Sequence, residues 1–253
     1  MACRREPLRA VEPECAQDHR GNAIKHLGDA LMKLFNSGEP TLKRNQRKKT
    51  NICVIESKWW AETNTSVRGM FDLLADLHTG TPHGYEYEMS NSRAGFVEAL
   101  ERQLKSDDSN YIAIATHGTR QGLKLFNEDG VSKTVIRNIL KNDDLPEGRN
   151  VIGMHLGCCT FLDRGSVEFL SQADISPWWL AGYSKKIDWA ESTAMDFMFF
   201  NKLLSVDNNA RANPATTIRN VATKIAKECS GLAKILGFQI YLLEPGYEVQ
   251  ELI

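Results

Sequence analysis

The chain lacks the features that mark several whole classes of protein. Its 253 residues contain no run of the roughly 18–20 apolar residues that a membrane helix needs. The N-terminal stretch MACRREPLRAVEPECAQDHR carries charge of both signs and no apolar signal core, so a cytoplasmic protein with no membrane partner is expected. An excess of one charge is missing as well: 31 Lys plus Arg stand against 32 Asp plus Glu, a formal net charge of -1. No overall field is left to hold nucleic acid, which is not expected as a partner. Cysteine is sparse at 6, and Cys158 and Cys159 are adjacent and poorly placed to bridge each other, which excludes a disulfide scaffold. There is no CxxC pair, and His155, although near Cys158, has no second cluster at zinc spacing, so no metal is expected. Glycine-rich phosphate cradles are absent too: neither GxxxxGK[ST] nor GxGxxG follows the first apolar run, and no GxSxG elbow occurs. No cofactor is expected. What remains is a globular α/β protein of ordinary composition, 42% hydrophobic and 25% charged.

The first fifty residues differ from the rest. Ile24, Leu27, Leu31 and Leu34 share one face of a helix expected over Ala23–Phe35, which Ser37, Gly38 and Pro40 stop. The cationic run Lys43–Lys49 follows, with nothing apolar to bury; it reads as a solvated linker, a protease-sensitive activation segment or a nucleic-acid patch. Residues 1–50 are taken as a helical extension and basic linker, and 51–253 as one domain. From Asn51 onward short apolar runs alternate with helical periodicity, the pattern of parallel strands joined by crossover helices. Strands are expected at Ile52–Glu56, Gly84–Met89, Tyr111–Thr116, Val151–Leu156, Trp178–Tyr183 and Phe238–Leu243. Helices are expected at Val67–Leu77, Arg93–Leu104, Lys133–Lys141, Ser166–Gln172, Ser192–Leu204 and Pro214–Leu236. In the last of these Asn213 is the N-cap, Pro214 suits the first turn, Ile218, Val221, Ile225, Cys229, Leu232 and Leu236 form the apolar stripe, and Gly237 closes it. A hairpin is expected over Gly122–Val131 with Asp129-Gly130 as its turn.

Reactive groups in open parallel sheets collect beyond the carboxyl ends of the strands. Two of the expected strands end in such groups: Tyr111–Thr116 runs into His117-Gly118, and Val151–Leu156 runs into Gly157-Cys158-Cys159. If these strands are neighbours, an imidazole and a thiol face each other across one cleft. A thiol of ordinary pKa near 8.5 is only a few per cent thiolate at neutral pH, and a neighbouring imidazole activates it and then protonates a leaving amine. Gly118 has no β-carbon to obstruct a substrate backbone, and its N–H and that of Cys159 are candidates to stabilise an oxyanion.

A strand, then His-Gly, then about forty positions later a strand, a small residue and Cys: this arrangement resembles the caspase-like cysteine peptidases, which include caspases, metacaspases, gingipains, separase and bacterial CHAT proteases. Leu156-Gly157-Cys158-Cys159 is similar to the Leu-Ser-Ala-Cys of CHAT-type members and puts the nucleophile at Cys159. Gly182-Tyr183-Ser184-Lys185-Lys186-Ile187-Asp188-Trp189 resembles the segment that flanks the S1 pocket in the same family. The resemblance implies a three-layer α/β sandwich around a six-stranded, mainly parallel sheet in the order 2-1-3-4-5-6, its last strand antiparallel, with helices on both faces. It also implies a cysteine endopeptidase with a His117/Cys159 dyad acting on protein or peptide substrates. The Gln-Ala-Cys-Arg-Gly of caspases and the acid just before the metacaspase nucleophile are both missing, so a preference for Asp at P1 is not implied.

A pocket reading a charged P1 side chain needs an opposite charge. Asp188, Glu191 and Asp163 are the acids nearest the matched segments, with Trp189 as a possible platform, and they favour Arg or Lys at P1; Asp188 reads equally as a helix N-cap. A basic P1 makes Lys43–Lys49 a candidate cut site for this chain itself, and the polar loops of Thr119–Asn150 are a second candidate device, ordering only when substrate or an upstream activating protease arrives. Bacterial relatives serve antiviral defence or cell death, which makes a zymogen in such a pathway the implied role. A catalytically silent scaffold or adaptor on the same fold is the alternative.

Overall fold

Alternation of side chains decides how the central strands sit. The computed structural model describes residues 49–63, 65–106, 111–127, 130–141, 151–172, 175, 177–206, 213–244 and 247–253. Strands β1 (Ile52–Glu56), β3 (Tyr111–Ala115), β7 (Gly153–Gly157) and β8 (Trp179–Tyr183) are buried at every position, as strands covered on both faces must be. Ile52, Val54, Tyr111, Ala113, Trp179 and Ala181 point into one apolar layer, while Cys53, Ile55, Ile112, Ile114, Met154 and Leu180 point into another. Strand β2 (Glu86–Met89) lies at the edge, half-buried at Glu86, Tyr87 and Glu88 and exposed at Met89.

Helices fill both layers. Phe71 and Leu74 of α1 (Arg68–Thr79), Met195, Phe199 and Leu203 of α5 (Trp189–Val206), Ile218 and Ile225 of α6 (Pro214–Glu228) and Leu232 of α7 (Ser230–Leu236) pack in the first. Phe96 and Leu100 of α2 (Arg93–Leu104), Ile136 and Ile139 of α3 (Lys133–Leu140) and Val167 and Leu170 of α4 (Arg164–Ser171) pack in the second. Ser92, Ser132 and Asp163 accept N–H bonds at the starts of α2, α3 and α4, each satisfying a donor that the helix leaves orphaned. The result is a three-layer α/β sandwich.

With β9 (Phe238–Leu242) and β10 (Gln250–Glu251), the sheet runs β2-β1-β3-β7-β8-β9-β10. The first five strands are mutually parallel, whereas β9 is antiparallel to β8 and β10 to β9. Six of the seven strands therefore take the expected order 2-1-3-4-5-6 with an antiparallel sixth, and β10 is an addition, too short to have left a pattern in the sequence. A second sheet of three short strands, β4 (His117–Thr119), β5 (Gly122–Lys124) and β6 (Gly130–Ser132), branches from the end of β3 and contains the expected hairpin.

Several expectations need correction. The long helix Pro214–Leu236 is two helices, broken at Cys229 (φ -131, ψ 15) where Ser230 and Gly231 disfavour a helix interior. The apolar stripe survives because both halves face the same layer. Asn213 stands at the N-cap of α6 without a side-chain bond to it, whereas Gly237 closes α7 in the left-handed conformation as expected (φ 62, ψ 39). Helix α5 begins at Trp189 rather than Ser192. The helix expected at Ala23–Phe35, residues 43–48 of the basic run, and Asp129 of the expected turn lie outside the described residues. Among the described residues no helix is long and apolar enough to cross a membrane.

Candidate active site

Strand register brings the two reactive loops together. β3 and β7 pair in parallel with Ala115 opposite Gly157, so His117 and Cys159 each lie two residues beyond one paired position, at the same end of adjacent strands. Neighbouring strands are about 4.8 Å apart, which sets the spacing of the loops they launch. Contact between those loops is direct. A β-carbon placed on Gly118 would stand 2.5 Å from the Cys159 carbonyl oxygen and 3.0 Å from Cys158 Sγ, so only glycine fits there without displacing the nucleophile loop.

His117 is half-buried and held from the side by the loop that follows β1. Its Nε2 lies 2.9 Å from the Trp59 carbonyl oxygen, and the Trp59 and Trp60 rings stand edge-on to it at 5.1 and 6.0 Å. A carbonyl only accepts hydrogen bonds, so Nε2 carries the proton and Nδ1 is the free basic nitrogen. Trp59 is in turn fixed by Glu56 at the end of β1. The Glu56 carboxylate is completely buried and accepts bonds from Trp59 Nε1 (2.8 Å), the Val67 N–H (3.0 Å), Ser66 Oγ (2.6 Å) and Tyr87 Oη (2.7 Å). Burial, aided by the carboxylate, pushes the Tyr87 phenol up to about 12, which keeps its proton available to Glu56.

The two cysteines of the loop after β7 differ sharply. Cys158 is buried in the layer beneath α2, α3 and α4, and burial foremost, followed by the neighbouring Cys159 and Asp196, pushes its thiol well above the usual range. Cys159 is half-buried, with its Sγ 3.9 Å from the Ile187 carbonyl oxygen. The imidazole and this sulfur share no hydrogen bond; a base and its nucleophile in an empty site often stand apart until substrate closes the gap. The Cys159 N–H has no backbone partner among the described residues, as an oxyanion donor requires. Thr160 follows in left-handed backbone (φ 53), and its N–H bonds the Lys185 carbonyl, joining the nucleophile loop to the segment after β8.

Of the acids expected to read a substrate side chain, two are engaged in helix starts. Asp188 Oδ1 accepts the Ala190 and Glu191 N–H groups at 2.9 and 3.3 Å, the capping role the sequence also allowed. Asp163 caps α4 through Ser166; burial opposes its ionisation, but the Ser166 bonds and Lys133 hold its carboxyl below the ordinary value. Glu191 and Trp189 are half-buried in the first turn of α5, and the Trp189 indole nitrogen is buried with no partner among the described residues.

Sequence reasoning missed three groups that lie around these loops. The Trp59 carbonyl acts through main chain, so its residue type gives no sign of it. Glu56 ends an apolar strand, and Asp196 interrupts the apolar run Met195–Phe200. A lone acid in such a setting is a signal that was there to use.

Comparison with solved structures finds similarity to caspase-1 from Spodoptera frugiperda at 13% identity, covering 74% of this chain and 83% of that one, with a TM-score of 0.40. A second similar structure is drICE, at 11% identity over 80% of this chain and 90% of that one, with a TM-score of 0.41. No protein-family model and no curated protein sequence matches the chain.

Proposed function

We propose that the protein is a cysteine endopeptidase with Cys159 as nucleophile and His117 as general base and acid. The observation that supports this most is the β3–β7 register, which sets the two residues side by side at one end of the sheet. The Trp59 carbonyl, holding Nε2–H, leaves Nδ1 to take the thiol proton. The thiolate attacks the scissile carbonyl carbon, and the oxygen that gains charge is met by the N–H groups of Cys159 and Gly118. Collapse of the tetrahedral adduct expels the amine, which takes the proton from His117. Water activated by the same imidazole then cleaves the thioester and regenerates the thiol.

The preferred P1 residue in this proposal is Arg or Lys. A basic P1 makes the Lys43–Lys49 run a cut site for this enzyme or an upstream protease, and with it a zymogen of a bacterial defence or cell-death pathway. A positional scan of fluorogenic peptides tests the proposal. Turnover of Arg and Lys peptides is expected; no turnover of any peptide by protein whose Cys159 thiol is intact would leave a silent scaffold instead.

Gly118→Ala offers a separate check. The added methyl group meets the Cys159 carbonyl at a distance no contact tolerates, so the oxyanion donors move and kcat should fall by about 10² or more. Circular dichroism should show the fold retained.

A further inference from the structure

Beneath the nucleophile loop lies an acid that the reaction above does not use. Asp196 projects from α5 and is only 8% exposed. Its Oδ1 accepts the Tyr183 hydroxyl at 2.5 Å and lies 2.9 Å from His155 Nε2, which is too poorly aligned to make a hydrogen bond. Oδ2 has no hydrogen-bonding partner among the described residues. Oδ2 is not among the solvent-sealed polar atoms and the side chain is 11% exposed, so a cation can reach it and pair with a charge that water and salt screen only weakly.

Oδ2 faces Gly157. A β-carbon placed there would be 3.1 Å from the Ile114 carbonyl oxygen, 3.3 Å from the His155 ring and 3.5 Å from Oδ2, so a larger residue would crowd the carboxylate and glycine leaves it uncovered on that side. The register partner of Gly157 is Ala115, with only a methyl side chain. Below them His155 is wedged among Phe199, Phe200 and Phe238, which closes the bottom of the recess. Above them, two residues on from Gly157, is Cys159. The chain turns at Gly157, where the Cys158 N–H bonds the Leu156 carbonyl, so the nucleophile stands at most about 7 Å away along the chain, within the span of an extended lysine or arginine side chain.

We infer that Asp196 is the residue that reads P1: a basic side chain runs from the scissile bond past Gly157 and pairs with Oδ2, while Tyr183 holds the other oxygen. This assignment rests on the peptidase proposal and moves the reading of charge from the acids beside the loop to one beneath it. Asp188 and Asp163 each commit one oxygen to a helix start and Asp196 commits one to Tyr183; what sets Asp196 apart is that its other oxygen faces Gly157, two residues before Cys159.

The test compares kcat/KM for arginine and alanine P1 peptides in wild type, Asp196→Asn and Gly157→Val. Asparagine keeps the shape and an acceptor for Tyr183, and valine crowds the carboxylate while leaving the charge in place. The arginine-to-alanine ratio should fall by about 10² or more in both, the usual consequence of removing one partner of a buried charge pair. In parallel, agmatine, a guanidinium with no peptide bond, is titrated calorimetrically into Cys159→Ala and into Cys159→Ala carrying Asp196→Asn. Binding is expected in the first and not in the second. An unchanged ratio in folded Asp196→Asn overturns the assignment and leaves the peptidase standing. If Asp196→Asn does not fold, Gly157→Val decides, and a retained ratio there overturns the assignment. No turnover by wild type overturns the peptidase and the P1 assignment with it, and agmatine then separates the two failures: binding that depends on Asp196 still shows a cation site beside Gly157, while equal or absent binding overturns that as well.

Discussion

Cys159→Ala should abolish peptide turnover, lowering kcat by about four to six orders of magnitude, the range seen when a nucleophile is removed from a catalytic unit. The substitution deletes one half-buried sulfur, so the loss would be chemical and not a collapse of the fold. Cys158 cannot stand in for it. That side chain points into the opposite layer, is sealed from solvent, and has its thiol driven up by burial. His117→Ala should cost nearly as much, and combining the two should add little, because residues that act as one unit do not contribute independently. The measurements are steady-state kinetics on an arginine P1 peptide and mass-spectrometric mapping of the residue labelled by a peptidyl electrophile. Labelling at Cys158, or equal turnover by wild type and Cys159→Ala, would remove the assignment of the nucleophile.

Glu56→Ala should be the most destabilising single change at the site, costing about 3–5 kcal/mol. Two of the four donors that converge on this carboxylate, the Trp59 indole N–H and the Val67 N–H, have no way to reverse their polarity. Each buried donor left unpaired costs about 1–3 kcal/mol. The other two, Ser66 and Tyr87, are hydroxyls that can rotate. Glu56→Gln separates these contributions, since its carbonyl oxygen can face the two N–H groups and its amide can donate to the hydroxyls. A cost of about 1 kcal/mol is expected for glutamine. At about 2–4 °C per kcal/mol for a domain of this size, the alanine variant should melt about 10 °C lower, read by far-UV circular dichroism. Turnover should fall as well, at temperatures where the variant is still folded, because the Trp59 carbonyl that orients His117 loses its anchor. Equal melting of wild type and Glu56→Ala would show that the four bonds do not hold the loop.

The parts of this fold that the sequence makes legible are those governed by short-range pattern. Ile52–Glu56 and Arg93–Leu104 form with the boundaries expected, the first because an unbroken apolar run suits a strand buried on both faces, the second because Ser92 supplies its cap. The break at Cys229 was hidden because both helices keep the same apolar period across it. The proximity of the His117 and Cys159 loops was foreseen only by assuming that two strands were neighbours, a fact of register and not of composition. The Trp59 carbonyl is illegible in principle, since every residue has one. Asp196 was legible as an oddity but had no visible purpose until Gly157 was seen beside it.

The mooring of the segment after β8 carries a last consequence. Ser184 donates through both its N–H (2.9 Å) and its Oγ (3.1 Å) to the Gly237 carbonyl, and Lys185 Nζ reaches the Lys234 carbonyl at 2.7 Å. Gly237 is left-handed, and a β-carbon there would come within 2.6 Å of Ser184 Oγ. One wall of the proposed catalytic cleft is thus bolted to a helix end some fifty positions downstream. Anything that grips or shifts the tip of α7, whether a small molecule or an engineered crosslink, gains leverage over turnover from the far end of the chain.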